Sequence, residues 1–351
     1  MRRAMLRGAS PSAAFTGGTS MHPANTRNGG RLGVRHALAL LLPLTLGGCT
    51  DALPTGSEVG ATAARVVLVS VDGLRGDAMK HMPHLAALAA AGASTDAMTT
   101  VLPSLTVPGH LSMLSGRDVT RYNITSNALD STAAMRFAFS GSTTVFDWVR
   151  GSHKSTEAIT GASLIGNAVV SDARDFFGVD SLVATDTRAE VIADRTLARL
   201  ASGHAPSLLF VHFPDVDLAG HDGGWLVPGV TSLAGGDSLA PAYLLAARRV
   251  DDAIARIETA LRPGLDSGNV VLVITADHGG GHGEGCVSGV PAFKEHCTSA
   301  PGDELIPFVA VGRGIAPHRL SAGARITQVG PTVGALLRVR VPSGTAAGLR
   351  L

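Results

Sequence analysis

The chain has 351 residues, of which 45% are apolar and 16% charged, with 43 Gly and 18 Pro. That composition supplies ample material for a buried core and is too apolar for a disordered chain and too aperiodic for a fibre. The net charge of +1 hides an asymmetry: residues 1–48 carry six Arg and no acid, so the rest holds 23 basic against 28 acidic residues, about −5, which leaves no basic field for nucleic-acid backbones.

In chain order, Arg31 and Arg35 precede the apolar run Ala37–Leu46. Its length of about ten residues is too short to span a bilayer. A basic flank, a short apolar core and small residues read as a secretory signal over residues 1–48. The ending Leu46-Gly47-Gly48-Cys49 resembles a bacterial lipobox, which implies cleavage before Cys49 and lipidation of its thiol. The acyl chains anchor such a protein at a membrane without a spanning helix, on the periplasmic or surface side of a bacterial cell envelope. A plain secretory signal with Cys49 incidental is the alternative. Residues 49–63 are small and polar and read as a flexible tether to a folded body over 64–351.

Within that body, Arg65–Val71 is a near-continuous apolar run of the kind a central parallel strand needs. A helix is expected over His84–Ala91, stopped by Gly92. Residues 128–185 are less regular and read as a small insertion or cap. Further strands are expected at Ser207–His212, Val270–Thr275 and Ile306–Val311, and helices at Thr187–Ala201, Ala240–Leu261 and Pro331–Leu337. This alternation predicts an α/β fold with a mostly parallel sheet, in which chemistry collects at the carboxyl ends of strands. Cys286 and Cys297 form a disulfide in an exported protein; two metal-ligating thiolates are the other reading.

Four polar clusters stand where such chemistry belongs. Asp72 directly follows the first strand, before Gly73. Thr106 stands ahead of Pro108, which suits the first turn of a helix. There Thr106 is either an N-cap or a nucleophile beside N–H groups that favour a phosphoryl anion, needing a base or a metal for activation. Asp217 and His221 are four apart after an apolar strand, and carboxylate with imidazole suits zinc. Asp277 and His278 end another strand before a glycine run, with His282 and His296 downstream.

Taken together, in this order, these motifs resemble the alkaline phosphatase superfamily, and within it the type I phosphodiesterase and nucleotide pyrophosphatase family, over about residues 65–340. The resemblance implies a three-layer sandwich, a mostly parallel central sheet flanked by helices, holding two divalent metal ions, zinc. It implies that Asp72, Thr106, Asp277 and His278 hold one ion, and Asp217, His221 and His296 the other, with His296 preferred to His282. Thr106 in Thr-Val-Pro-Gly-His matches the family nucleophile, and Asn127, with the Val107 N–H, takes the charge of the transition state. Tyr122 and Asn123 depart from the family's His-Gly, and Val119 from its Pro. His110 reads as support for the nucleophile loop. The implied activity is hydrolysis of phosphate esters through a phospho-threonine, on diesters or nucleotide pyrophosphate bonds of small molecules, with no nucleic-acid polymer as partner. A phosphomonoesterase on the same site, an envelope phospho-headgroup transferase and a zinc-binding lipoprotein are the alternatives; a sulfatase is disfavoured because Thr106 and His110 replace the Cys/Ser and Arg of that branch.

Overall fold

A computed structural model describes residues 61–128, 136–137, 140–161, 178–229 and 238–351. The expected signal over 1–48, Cys49 and most of the tether lie outside the described residues.

Among the described residues eight strands form one sheet: β1 (Arg65–Val71), β2 (Ala93–Thr99), β3 (Thr156–Gly161), β4 (Ser181–Thr185), β5 (Leu208–Phe213), β6 (Val270–Thr275), β7 (Leu305–Val311) and β8 (His318–Arg319), in the order β4-β3-β5-β1-β6-β7-β2-β8. The five from β4 to β6 run parallel, and β7 is antiparallel to both β6 and β2. The central strands are buried on both faces, which is why Arg-Val-Val-Leu-Val-Ser-Val reads as a run and not an alternation.

The helices are α1 (Pro83–Ala91), α2 (Thr106–Ser115), α3 (Val145–Gly151), α4 (Ala189–Ala201), α5 (Asp215–Gly223), α6 (Pro241–Ser267), the single turn α7 (Pro301–Glu304) and α8 (Val329–Leu336). Helices α2, α3 and α8 pack together on one face, and α1, α4 and α6 on the other. The result is a three-layer sandwich, as expected for covered parallel strands.

Helix α6 outruns its expected end at Leu261, passing through the exposed Pro263 to Ser267. Leu261 and Leu265 anchor its last turns in the core, and Gly268, at φ +83°, closes it. Asp251 of α6 accepts the His84 and Leu85 N–H groups at 2.9 and 2.8 Å, capping α1 from a neighbouring helix. Strands β2, β3, β4 and β8 and helix α3 escaped the hydrophobic pattern. Strand β2 lies next to the two-residue edge strand β8 and needs no continuous apolar run. Strand β4 is a part-exposed edge strand, and β3 places polar side chains inside the sheet by pairing them: Glu157 meets Arg199 at 2.6 Å, and the Thr156 hydroxyl meets Asp180 at 3.1 Å. The expected cap over 128–185 therefore contains α3, β3 and β4 of the main body, and its residues 129–135, 138–139 and 162–177 lie outside the described ones.

Candidate metal centre

Three adjacent strands, β5, β1 and β6, end side by side, and each is followed by an acid. Asp72 comes one residue after β1, Asp277 two after β6, and Asp217 lies in the first turn of α5 just past β5. Gly73 ties these ends together. Its N–H donates to Asp277 Oδ1 at 3.2 Å, and at φ +70° a Cβ there would stand 2.8 Å from the Asp217 Cα. A side chain at this position is therefore excluded twice, by conformation and by space. Thr106 opens α2, and a Cβ on Gly109 of the same helix would strike the Asp277 carbonyl at 2.7 Å. Helix α2 thus approaches the end of β6 at the distance only glycine permits.

Around these acids all seven side chains expected to hold metal come together in two groups. In the first, His278 Nε2 lies 3.3 Å from Asp72 Oδ1, 3.2 Å from Asp277 Oδ2 and 3.2 Å from Thr106 Oγ1. In the second, Asp217 Oδ1 is 3.5 Å from His221 Nε2 and 3.7 Å from His296 Nε2, and the two imidazole nitrogens are 3.3 Å apart. The His278 and His296 rings stack at 3.8 Å and join the groups. Donors bound at roughly 2.1 Å to a tetrahedral zinc lie about 3.4 Å from one another.

Three features fit these residues to cations. Asp72 Oδ1, Asp217 Oδ1 and Asp277 Oδ2 are buried with no hydrogen-bond partner, an arrangement that costs free energy unless something positive fills the space. Each imidazole has Nδ1 against a backbone carbonyl: His221 with Lys294 at 2.9 Å, His278 with Gly279 at 2.7 Å and His296 with Ser104 at 2.6 Å. That contact puts a proton on Nδ1 and turns Nε2 inward, the orientation a metal ligand needs. The electrostatics agree. Burial, then the charge of Asp72, pushes Asp217 well above the carboxylate range. Burial opposes charge on His278, but Asp277 and Asp72 outweigh it and raise it to about 10, so that without an ion a proton on Nε2 supplies the positive charge these acids draw in, and a bound ion would displace it. Burial and the nearby His278 lower His296 to about 3, keeping it neutral. Burial also opposes charge on Asp72, yet the hydrogen bond from His212 and the nearby His278 hold it well below its ordinary value.

His282 is turned away from this cage. Its N–H donates to Asp303 Oδ1 at 3.0 Å, and its Nδ1 lies 3.7 Å from the same oxygen. Cys286 and Cys297 are joined as a disulfide, which removes the thiolate-ligand reading. The Val107 N–H, expected to face the phosphoryl oxygen, donates instead to Asn127 Oδ1 at 3.0 Å, so the Asn127 amide nitrogen points the other way. His110 braces the nucleophile turn: Nδ1 meets the Thr106 carbonyl and Nε2 meets Ser70 Oγ, both at 2.9 Å.

Two residues that sequence reasoning passed over also shape the cage. Trp225 is wholly buried, donates Nε1–H to the Gly73 carbonyl at 2.9 Å, and stands edge-on to His221 and His296 at 5.0 and 5.5 Å. His212 donates to Asp72 from behind at 3.0 Å. Their sequence signal is a polar or bulky residue placed where a strand end or a glycine-rich turn must be filled.

Fold and site together define an α/β protein of the alkaline phosphatase kind. The fold is similar to that of an inactive threonine-to-alanine variant of murine ectonucleotide pyrophosphatase / phosphodiesterase 5 in complex with AMP, at TM-score 0.58 and 14% identity over 80% of this chain and 97% of that one. A 2-O GAG sulfatase superposes at TM-score 0.59 and 15% identity, over 82% and 73% of the two chains. A protein of the alkaline phosphatase superfamily from Vibrio parahaemolyticus does so at 0.51 and 18%, over 80% and 68%. No curated protein matches by sequence. The sequence profile of type I phosphodiesterase / nucleotide pyrophosphatase matches residues 66–306, and the chain belongs to that family of phosphoric ester hydrolases.

Proposed function

We propose that this protein hydrolyses small phosphodiesters or nucleotide pyrophosphate bonds at a site holding two zinc ions, with Thr106 as nucleophile. The carrying observation is the convergence of Asp72, Thr106, Asp277 and His278, and of Asp217, His221 and His296, at donor separations of 3.2–3.7 Å with three inward-facing Nε2 atoms. When bound, the ions supply Lewis-acid chemistry, lowering the pKa of a hydroxyl or water and offsetting charge on phosphoryl and leaving oxygens.

The chain's own residues do the rest. Thr106 Oγ1, at the start of α2, attacks phosphorus; the Oγ–P bond forms, the bond to the ester oxygen breaks, and the hydroxyl proton passes to solvent. Water then cleaves the phospho-threonine and restores the hydroxyl. The N-terminal end of α2 favours the anionic group. The Val107 N–H holds Asn127 by its carbonyl oxygen, which leaves the Asn127 amide to donate to the phosphoryl oxygen. His110 fixes the Thr106 carbonyl, and with it the first turn.

The test compares bis-nitrophenyl phosphate with nitrophenyl phosphate, before and after chelation and zinc add-back. Turnover of the diester that disappears on chelation and returns with zinc is the expected result. No turnover of either ester with zinc in excess overturns the reading, and preference for the monoester moves it to a phosphomonoesterase.

We further propose that residues 1–48 are removed as a lipoprotein signal and that Cys49 carries the anchor in the cell envelope, with 49–63 as tether. The disulfide accords with an exported protein. Among the described residues no helix is long and apolar enough to cross a membrane. The chain is packed against the body from Ala61, which is buried, and the Ala63 N–H meets the Leu336 carbonyl, at the end of β1 opposite Asp72. Metabolic labelling with a fatty acid, abolished by Cys49→Ser, tests the anchor.

A further inference from the structure

His212 has no role in the proposed chemistry, yet its place is unusual. It sits wholly buried, one residue from the end of the fully buried strand β5. Across the sheet it stands in register with Thr160 of β3 and Ser70 of β1, and Ser70 with Thr275 of β6. These four buried residues form a polar row beneath the strand ends that bear the acids. Phe210 stacks on the His212 ring at 6.4 Å and His110 meets it edge-on at 5.1 Å.

The two ring nitrogens are treated differently. Nε2 lies 3.0 Å from Asp72 Oδ2, while Nδ1 is buried with no hydrogen-bond partner. A bare Nδ1 places the proton on Nε2, which donates it to the carboxylate. A buried imidazole with an unpaired nitrogen is a poor filler, since an apolar ring occupies the same space without that cost. Packing therefore does not account for a histidine here. The hydrogen bond does something specific. It occupies Oδ2 of Asp72 and leaves Oδ1 forward, without a hydrogen-bond partner and 3.3 Å from His278 Nε2.

The geometry points to His212 as a positioning residue that pins Asp72 from behind, so that this acid meets the first ion through one oriented oxygen. The assignment deepens the two-ion reading above and rests on it. Partners of this kind, standing behind a metal ligand, change affinity by about 10–100-fold when removed.

The experiment uses the full mature chain with His212→Phe, His212→Leu and His212→Gln. Zinc affinity is read by competition with a chromophoric chelator, and stability by thermal unfolding of chelator-stripped protein. The expected result for the Phe or Leu variant is one zinc weakened by about 10–100-fold, the other unchanged, and metal-free protein that melts no lower than wild type. His212→Gln, whose amide N–H reaches the same oxygen, recovers most of the lost affinity. Leu serves if the Phe ring prevents folding, and Gln retains the test if both apolar variants do. Unshifted affinity for both ions in an apolar variant overturns the assignment alone. So does a loss of affinity that always accompanies a loss of metal-free stability, or a Gln variant no better than Leu. Wild-type protein that takes up no zinc overturns the two-ion reading, and this assignment with it.

Discussion

Asp251 and Asp72 are both buried acids, and the fold treats them in opposite ways. Both oxygens of Asp251 accept backbone N–H groups at the start of α1. Asp303 is satisfied likewise, by N–H groups of His282, Cys297 and Thr298 and by the Thr298 hydroxyl. Asp72, Asp217 and Asp277 each keep one buried oxygen without a hydrogen-bond partner, Asp72 and Asp277 in one donor group with His278 and Asp217 in another with His278 and His296. Asp251 and Asp303 are saturated by the chain. Asp72, Asp217 and Asp277 are left incomplete, at a free-energy cost that a cation in the proposed site would return.

The sharpest way to break this contrast is at Thr106. Thr106→Ala should lower diester turnover by about 10³-fold or more with bound zinc nearly unchanged, checked by steady-state kinetics and metal analysis of the same sample. Asp277→Asn should lose zinc and activity together, because it removes charge from the space the unpaired oxygens face. A variant that keeps its zinc would place Asp277 with the structural acids.

Stability should separate the two groups of acids with opposite signs. Asp251→Ala leaves the α1 N–H groups uncapped and should cost about 1–2 kcal/mol while diester hydrolysis is retained. Asp217→Asn in chelator-stripped protein removes the cost of burying this carboxyl beside Asp72 and should raise the melting temperature. Thermal unfolding of both metal-free variants reads the difference.

The smallest effect concerns acid. Burial disfavours charge on Asp303, but hydrogen bonds from His282, Thr298 and Cys297 outweigh it, so its folded pKa lies below the ordinary value. Its contribution is therefore complete above about pH 4, the unfolded value, and is lost as pH falls through the lower folded value. Wild type and Asp303→Asn should differ in melting temperature near neutral pH and converge in acid. A constant gap down the acid limb would show that the carboxylate charge contributes nothing.

Much of the site was legible because its donors are placed locally. Asp72 and Asp277 follow apolar runs whose length marks them as covered strands, and Asp217 and His221 are one helical turn apart whatever lies beyond them. The strands read from those runs lie within a residue of their observed bounds at β1, β5, β6 and β7. Strands β3 and β4 were not legible, since the polar residues that break the pattern of β3 are paired with Arg199 and Asp180, partners distant in sequence, and β4 lies at the sheet edge.

What the amino-acid sequence by itself determined is the set of donors and the strand ends that present them, because periodicity and strand length act over a few residues. Which histidine completes the second group was decided by tertiary structure. Asp303 draws in His282 and holds the backbone of Cys297 and Thr298, so that His296 turns under the Ser104 carbonyl. The place of His212 behind Asp72 was decided the same way, by the pairing of β5 with β1, two strands separated by more than a hundred residues. Contacts at that separation depend on how the whole sheet assembles, and no local pattern encodes them.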